Sequence, residues 1–129
     1  MSGIRDGRGF FLKHTAMALY SNLPVYKATY DLLIEFYRRE DTIPRKYRYS
    51  IVEEIKRHLC DLLSMVYQAN ASQDKKPFLR QAMRDIEEVK IRVRILSDLH
   101  VLGVKHFADL CVREESISKQ LTAWHNSVR

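Results

Sequence analysis

The chain has 129 residues, 46% of them hydrophobic and 29% charged, with a formal net charge of +6. That is enough apolar material for one core and too much for a disordered chain, while no apolar run approaches the ~20 residues of a membrane-spanning helix. With 4 Gly and 3 Pro, the composition favours long helices over a strand-and-turn fold. The basic surplus favours polyanionic partners.

Residues 1–16 read as a poorly ordered tail, and 17–129 as the folded domain. Arg5, Asp6 and Arg8 precede Phe10, Phe11 and Leu12, and Ala16 and Ala18 form an Ala-x-Ala triplet. The likeness to a secretory signal stops there, because Lys13 and His14 interrupt the apolar run short of the ~7 residues such a segment needs. Met17 is an alternative start. The tail carries three cations and one anion, so the domain without it keeps +4.

Four helices follow from apolar periodicity. The first is expected near 24–39, opened by Pro24, with Val25, Ala28, Thr29, Leu32, Leu33 and Phe36 on one stripe. The second is expected over 50–71, where Ser50 and Glu53 have capping-box spacing. Its core face is Ile51, Ile55, Leu59, Leu62, Leu63 and Val66. The third is expected from Pro77 to 102, stopped by Gly103, with Leu79, Ala82, Met83, Ile86, Val89, Val93, Leu96 and His100 inward. The fourth, 104–126, carries Val104, Phe107, Leu110, Cys111, Ile117, Leu121 and Trp124, with Val128 just beyond. Short connections imply antiparallel neighbours, hence an all-α, up-down-up-down four-helix bundle.

Ile91, Ile95, Leu99 and Leu102 lie on the side of the third helix opposite its main stripe. A single four-helix core does not cover both sides. Either the tail, through Phe10 and Phe11, caps this line, or it is a subunit interface, and we prefer the interface.

Signals of catalysis are missing. There is no Gly-rich phosphate loop, HExxH, GxSxG or DxD pair. Cys60 and Cys111 lack zinc-site spacing and are expected as buried, reduced thiols of a cytoplasmic protein. His14, His58, His100, His106 and His125 are scattered. The expectation is a protein that is not an enzyme, with no cofactor and no metal.

Binding residues are easier to nominate. Arg45, Lys46 and Arg48 alternate with Tyr47 and Tyr49. Cations of this kind neutralise phosphates and tyrosine stacks on unpaired bases, although the same pattern also suits a helix start whose cations simply face water. Lys56 and Arg57 extend the cluster along the second helix, and Arg80 and Arg84 share one face of the third. Lys90, Arg92 and Arg94 lie farther on, near Glu87 and Glu88, where part of the charge is neutralised within the helix.

The runs Leu23-Pro24-Val25-Tyr26-Lys27-Ala28, Tyr30-Asp31-Leu32-Leu33, Ile43 through Ile51 and Ser118 through Trp124 resemble a bacterial family of four-helix bundles. That family includes the protein encoded by ribosomal-RNA intervening sequences and the accessory variability determinant of diversity-generating retroelements. The resemblance spans roughly residues 17–127 and is closer to the accessory branch, because the fourth helix is full length and ends in the Trp motif. It implies a basic, ring-like homopentamer that associates with the element's reverse transcriptase and with RNA or DNA during mutagenic retrohoming. Arg45, Lys46 and Arg48 are the positions matching the family's charged lead-in to the second helix. The other branch implies a structural oligomeric bundle without a nucleic-acid role. The tail of residues 1–16 departs from the family pattern.

Overall fold

The computed structural model describes residues 19–129. After a 3-10 turn at Tyr20–Asn22 come α1 (Pro24–Arg39), a second 3-10 turn at Glu40–Thr42, the one-turn helix α2 (Arg45–Arg48), α3 (Ile51–Ala71), α4 (Lys76–Asp98) and α5 (Val104–Ser127). No strand occurs among the described residues. The nominated tail lies outside them.

Each long helix buries one stripe. In α1 this is Val25, Thr29, Leu32, Leu33 and Phe36. The one polar member, Thr29, donates its hydroxyl to the Val25 carbonyl at 2.7 Å, so its burial leaves no orphaned group. Ile55, Leu59, Leu62 and Val66 of α3 meet Leu79, Ala82, Ile86, Val89, Val93 and Leu96 of α4, and α5 closes the core with Leu110, Ile117 and Leu121. Val52 and Ala69 are also fully buried, at the two ends of the α3 stripe.

Polar contacts link the helices at different heights. Glu54 of α3 pairs with Arg92 of α4 at 2.9 Å, whereas His58, one turn later in α3, meets Asp85, two turns earlier in α4. Glu35 near the end of α1 lies 3.6 Å from His106 at the start of α5, where burial pushes the imidazole pKa down. At the far end of α3 the Lys75 ammonium donates to the Ala69 and Ser72 carbonyls, each at 2.8 Å. A cation at a helix C-terminus satisfies free carbonyls and complements the dipole.

Several expectations require correction. Ser50 precedes α3, but its hydroxyl donates to the Lys46 carbonyl at 2.6 Å and caps nothing. It closes α2 instead, a one-turn helix that the apolar spacing does not reveal. The third helix ends at Asp98, not at 102, and Gly103 is not its stop. His100 takes the left-handed conformation, φ 59°, while its N–H donates to the Ser97 carbonyl and Val101 N–H to the Leu96 carbonyl. Those paired bonds form a Schellman closure with histidine where glycine is usual. Gly103, extended at φ −67°, precedes α5 as its N-cap. His100 and Val104 face solvent as a result, Val104 being 86% exposed. Cys60 is exposed rather than buried.

Glu114 of α5 is 3% exposed and its Oε2 has no hydrogen-bond partner. Burial pushes its carboxyl pKa up from 4.5 to about 7, with Lys90 acting in the opposite direction.

Both the turn and the buried acid can be tested by denaturation. His100→Gly removes the cost of a left-handed non-glycine residue and should raise stability by ~1 kcal/mol in chemical denaturation. Gly103→Ala, with nothing within 4 Å of the added carbon, should be tolerated, and a larger loss at Gly103 than gain at His100 would contradict the turn geometry. For Glu114, the unfolded chain ionises near 4.5 and the folded chain near 7. The folded state therefore loses stability as pH rises through that window and stays lower above it. Glu114→Gln should be more stable than the parent by ~1–3 kcal/mol at pH 8 and little different at pH 4. A pH-independent difference would overturn the assignment.

Candidate nucleic-acid interface

The lead-in to α2 is held rigidly. Ile43 is 2% exposed and seats the chain in the core immediately before Pro44. Arg48 reaches back, its Nη2 donating to the Ile43 carbonyl at 3.1 Å. Tyr47 packs against the core, while Tyr49, 63% exposed, lies between two guanidiniums, Arg45 at 5.5 Å and Arg48 at 5.9 Å from its ring centroid. The Lys46 ammonium lies 5.0 Å from the Tyr47 ring centroid. Exposed cation–π contacts of this sort are worth only ~0.5–1 kcal/mol, so they orient the cations without withholding them from a phosphate.

Ion pairing divides the basic residues into two groups. Lys27, Arg39, Lys90, Arg92, Arg94 and Arg113 each face a carboxylate on their own or a neighbouring helix. No ion pair among the described residues involves Arg45, Lys46, Arg48, Arg57, Arg80 or Arg84, and the same holds for Arg38, Lys75, Lys76, Lys105, Lys119 and Arg129, which are scattered along the chain. Arg45, Lys46, Arg57, Arg80 and Arg84 are exposed and Arg48 is half-buried. Arg84 donates to Gln81 at 2.7 Å, a neutral partner that leaves its charge uncompensated.

Lys56 is a correction. It is 5% exposed, its ammonium bonded to Glu40 and Glu53 and lying 4.0 Å from the Tyr37 ring centroid. Burial disfavours the cation, but the hydrogen bonds to Glu40 and Glu53 outweigh it and the pKa lies above lysine's usual value. Lys56 is a charged structural post with no free donor face for a phosphate. Sequence spacing places it beside Arg57 but does not show that Tyr37 and Glu40 fold over it.

The outer line of α4 divides as well. Ile91, Ile95 and Leu99 are 53%, 41% and 49% exposed, spaced one helical turn apart. Leu102 does not join them. The helix has already ended, and the Schellman turn carries Leu102 back into the core at 9% exposure. Phe10 and Phe11, the alternative cover for this line, lie outside the described residues. No helix of the described residues is long and apolar enough to cross a membrane.

No curated protein matches the chain. The bAvd-like family matches residues 24–128, from the first position of α1 to just past the end of α5. That match takes in every helix of the core and the whole basic turn, and the chain therefore belongs to the bAvd-like family.

Proposed function

We propose that this protein is a non-catalytic accessory factor of a diversity-generating retroelement, one that binds RNA or DNA and the element's reverse transcriptase in the cytoplasm. Membership of the bAvd-like family supports the accessory role and the association with a reverse transcriptase. The observation that carries the nucleic-acid part is the clustering of unpaired cations at one turn. Arg45, Lys46, Arg48, Arg57, Arg80 and Arg84 have no carboxylate partner, and three of them share one turn that the core holds in place. Uncompensated cations on a fixed turn suit the phosphate backbone, where affinity comes from counterion release. None of these residues is arranged for reading base edges, so binding is sequence-tolerant, with Tyr49 available for stacking.

The bundle is up-down-up-down in this reading, and Ile91, Ile95 and Leu99 meet a second copy, building a homopentameric ring. A ring repeats the basic turn around its axis. Linked copies raise effective concentration, so phosphate contacts that are weak singly act together.

Two measurements test this reading. In a titration of single-stranded and structured RNA at two salt concentrations, Arg45→Ala/Lys46→Ala/Arg48→Ala should weaken binding at unchanged oligomeric state. Each phosphate interaction removed should lower the log–log salt slope by ~0.7–0.9. Equal affinity of parent and variant would remove the turn from the site. Failure of the parent to bind any nucleic acid would leave the structural bundle as the better account. In light scattering the parent should be an oligomer and Ile95→Glu should dissociate it, since burying a charge in a desolvated interface is strongly unfavourable. A monomeric parent, or an oligomer indifferent to Ile95→Glu, would end the assignment of that face.

A further inference from the structure

His58 and Asp61 stand one turn apart on α3, and Asp85 faces them from α4. One ligand atom from each lies within 4.8 Å of the other two. Asp85 is 2% exposed, and its two oxygens are in different situations. Oδ1 lies 3.1 Å from His58 Nδ1 and 3.5 Å from Gln81 Nε2, whereas the buried Oδ2 has no hydrogen-bond partner. A buried carboxylate oxygen without a donor costs free energy unless a proton or a cation meets it. Asp61 adds a second carboxylate at the exposed rim, where it opposes no cation in an ion pair among the described residues.

A hydrogen-bonded histidine–aspartate pair alone would account for one of these contacts. It accounts neither for the orphaned Oδ2 nor for a second carboxylate converging on the same imidazole. We propose that His58, Asp61 and Asp85 form a binding site for one divalent cation of the zinc, cobalt or manganese kind, clamping α3 to α4. The 3.1 Å between His58 Nδ1 and Asp85 Oδ1 matches the spacing of two ligands about one ion at bond lengths of ~2.0–2.2 Å. The ion takes the place of the proton between them, which leaves to solvent, as metal binding to imidazole requires, and bidentate coordination by the Asp85 carboxylate gives Oδ2 its positive partner as well. Asp61 closes the set from the rim with a small rotamer change. One nitrogen and two carboxylates suit zinc, cobalt and manganese, and three protein ligands leave a position for water. The site is separate from the basic turn, and its assignment does not depend on nucleic-acid binding.

The test is titration of the purified full-length protein with Co2+, followed by visible absorption and isothermal calorimetry, with Zn2+ as competitor. One Co2+ per chain should bind, displaced by Zn2+, with nitrogen and oxygen ligand-field bands and no thiolate charge-transfer band. A thiolate band would assign the ion to exposed Cys60 and overturn the site. Asp61→Asn is a surface change that leaves the fold intact and should weaken affinity at least about tenfold. Asp85→Asn keeps a hydrogen-bond acceptor for His58 and should abolish stoichiometric binding. The ion should raise the melting temperature of the parent and not of Asp85→Asn. Absence of saturable binding by the parent, or equal affinity in parent and Asp61→Asn, would overturn the proposal.

Discussion

The Lys56 ammonium is the contact on which the arrangement around the basic turn depends. It sits on α3, yet its partners come from three places: Glu53 one turn earlier, Glu40 in the 3-10 turn after α1, and the Tyr37 ring on α1 itself. A buried cation held this way ties the end of α1 to the start of α3. The chain between them then has little freedom, because Ile43 is buried in the core and Arg48 is bonded to the Ile43 carbonyl. Removing one member of such a set leaves an uncompensated buried charge, which is far more damaging than the set is stabilising. The node therefore acts mainly on geometry. It holds the two ends of the segment that carries Arg45, Lys46 and Tyr49.

The same logic separates structural from available charge elsewhere. Arg92 joins Glu54 and Glu88 across α3 and α4, and Lys90 lies between Glu87 and Glu115. Surface pairs of this kind, even with half-buried cations, typically contribute about 1 kcal/mol or less each. Their consequence for function is local neutrality, since cations already facing carboxylates release few counterions to a polyanion. The net charge of +6 is thus unevenly available. It is clustered at α2, open also on the outer face of early α4 and at the scattered Arg38, Lys105 and Lys119, and largely cancelled along the rest of α4.

Much of the fold is legible in the sequence because helix burial follows a 3.6-residue period, and the α1, α3 and α4 stripes are unbroken. The misreadings have two causes that spacing does not encode, contacts between residues distant in sequence and the geometry of helix ends. Lys56 and Arg57 look equivalent as neighbours, but only Lys56 turns toward Tyr37 and Glu40. Gly103 carries the usual stop signal, yet His100 adopts the left-handed turn three residues earlier and takes Leu102 from the outer line into the core. Ser50 has the spacing for a cap, but a nearer carbonyl at Lys46 claims its hydroxyl. The Arg45–Arg48 cluster is visible in the sequence itself, whereas its lack of ion pairs emerges only in three dimensions. The His58–Asp61–Asp85 convergence joins two helices and leaves no trace in sequence spacing, because the partner of His58 comes from α4, 27 residues away.

In the proposed function, the uncompensated cations around α2, and not the paired ones of late α4, are the ones that face the nucleic acid. Photocrosslinking of a 4-thiouridine-substituted RNA to the intact protein, with the crosslinked peptides mapped by mass spectrometry, distinguishes the two surfaces. Adducts should concentrate at Tyr47, Tyr49 and their neighbours on α2 and disappear at high salt. Adducts confined to the Lys90–Arg94 stretch of α4, or spread evenly over the surface, would contradict that assignment.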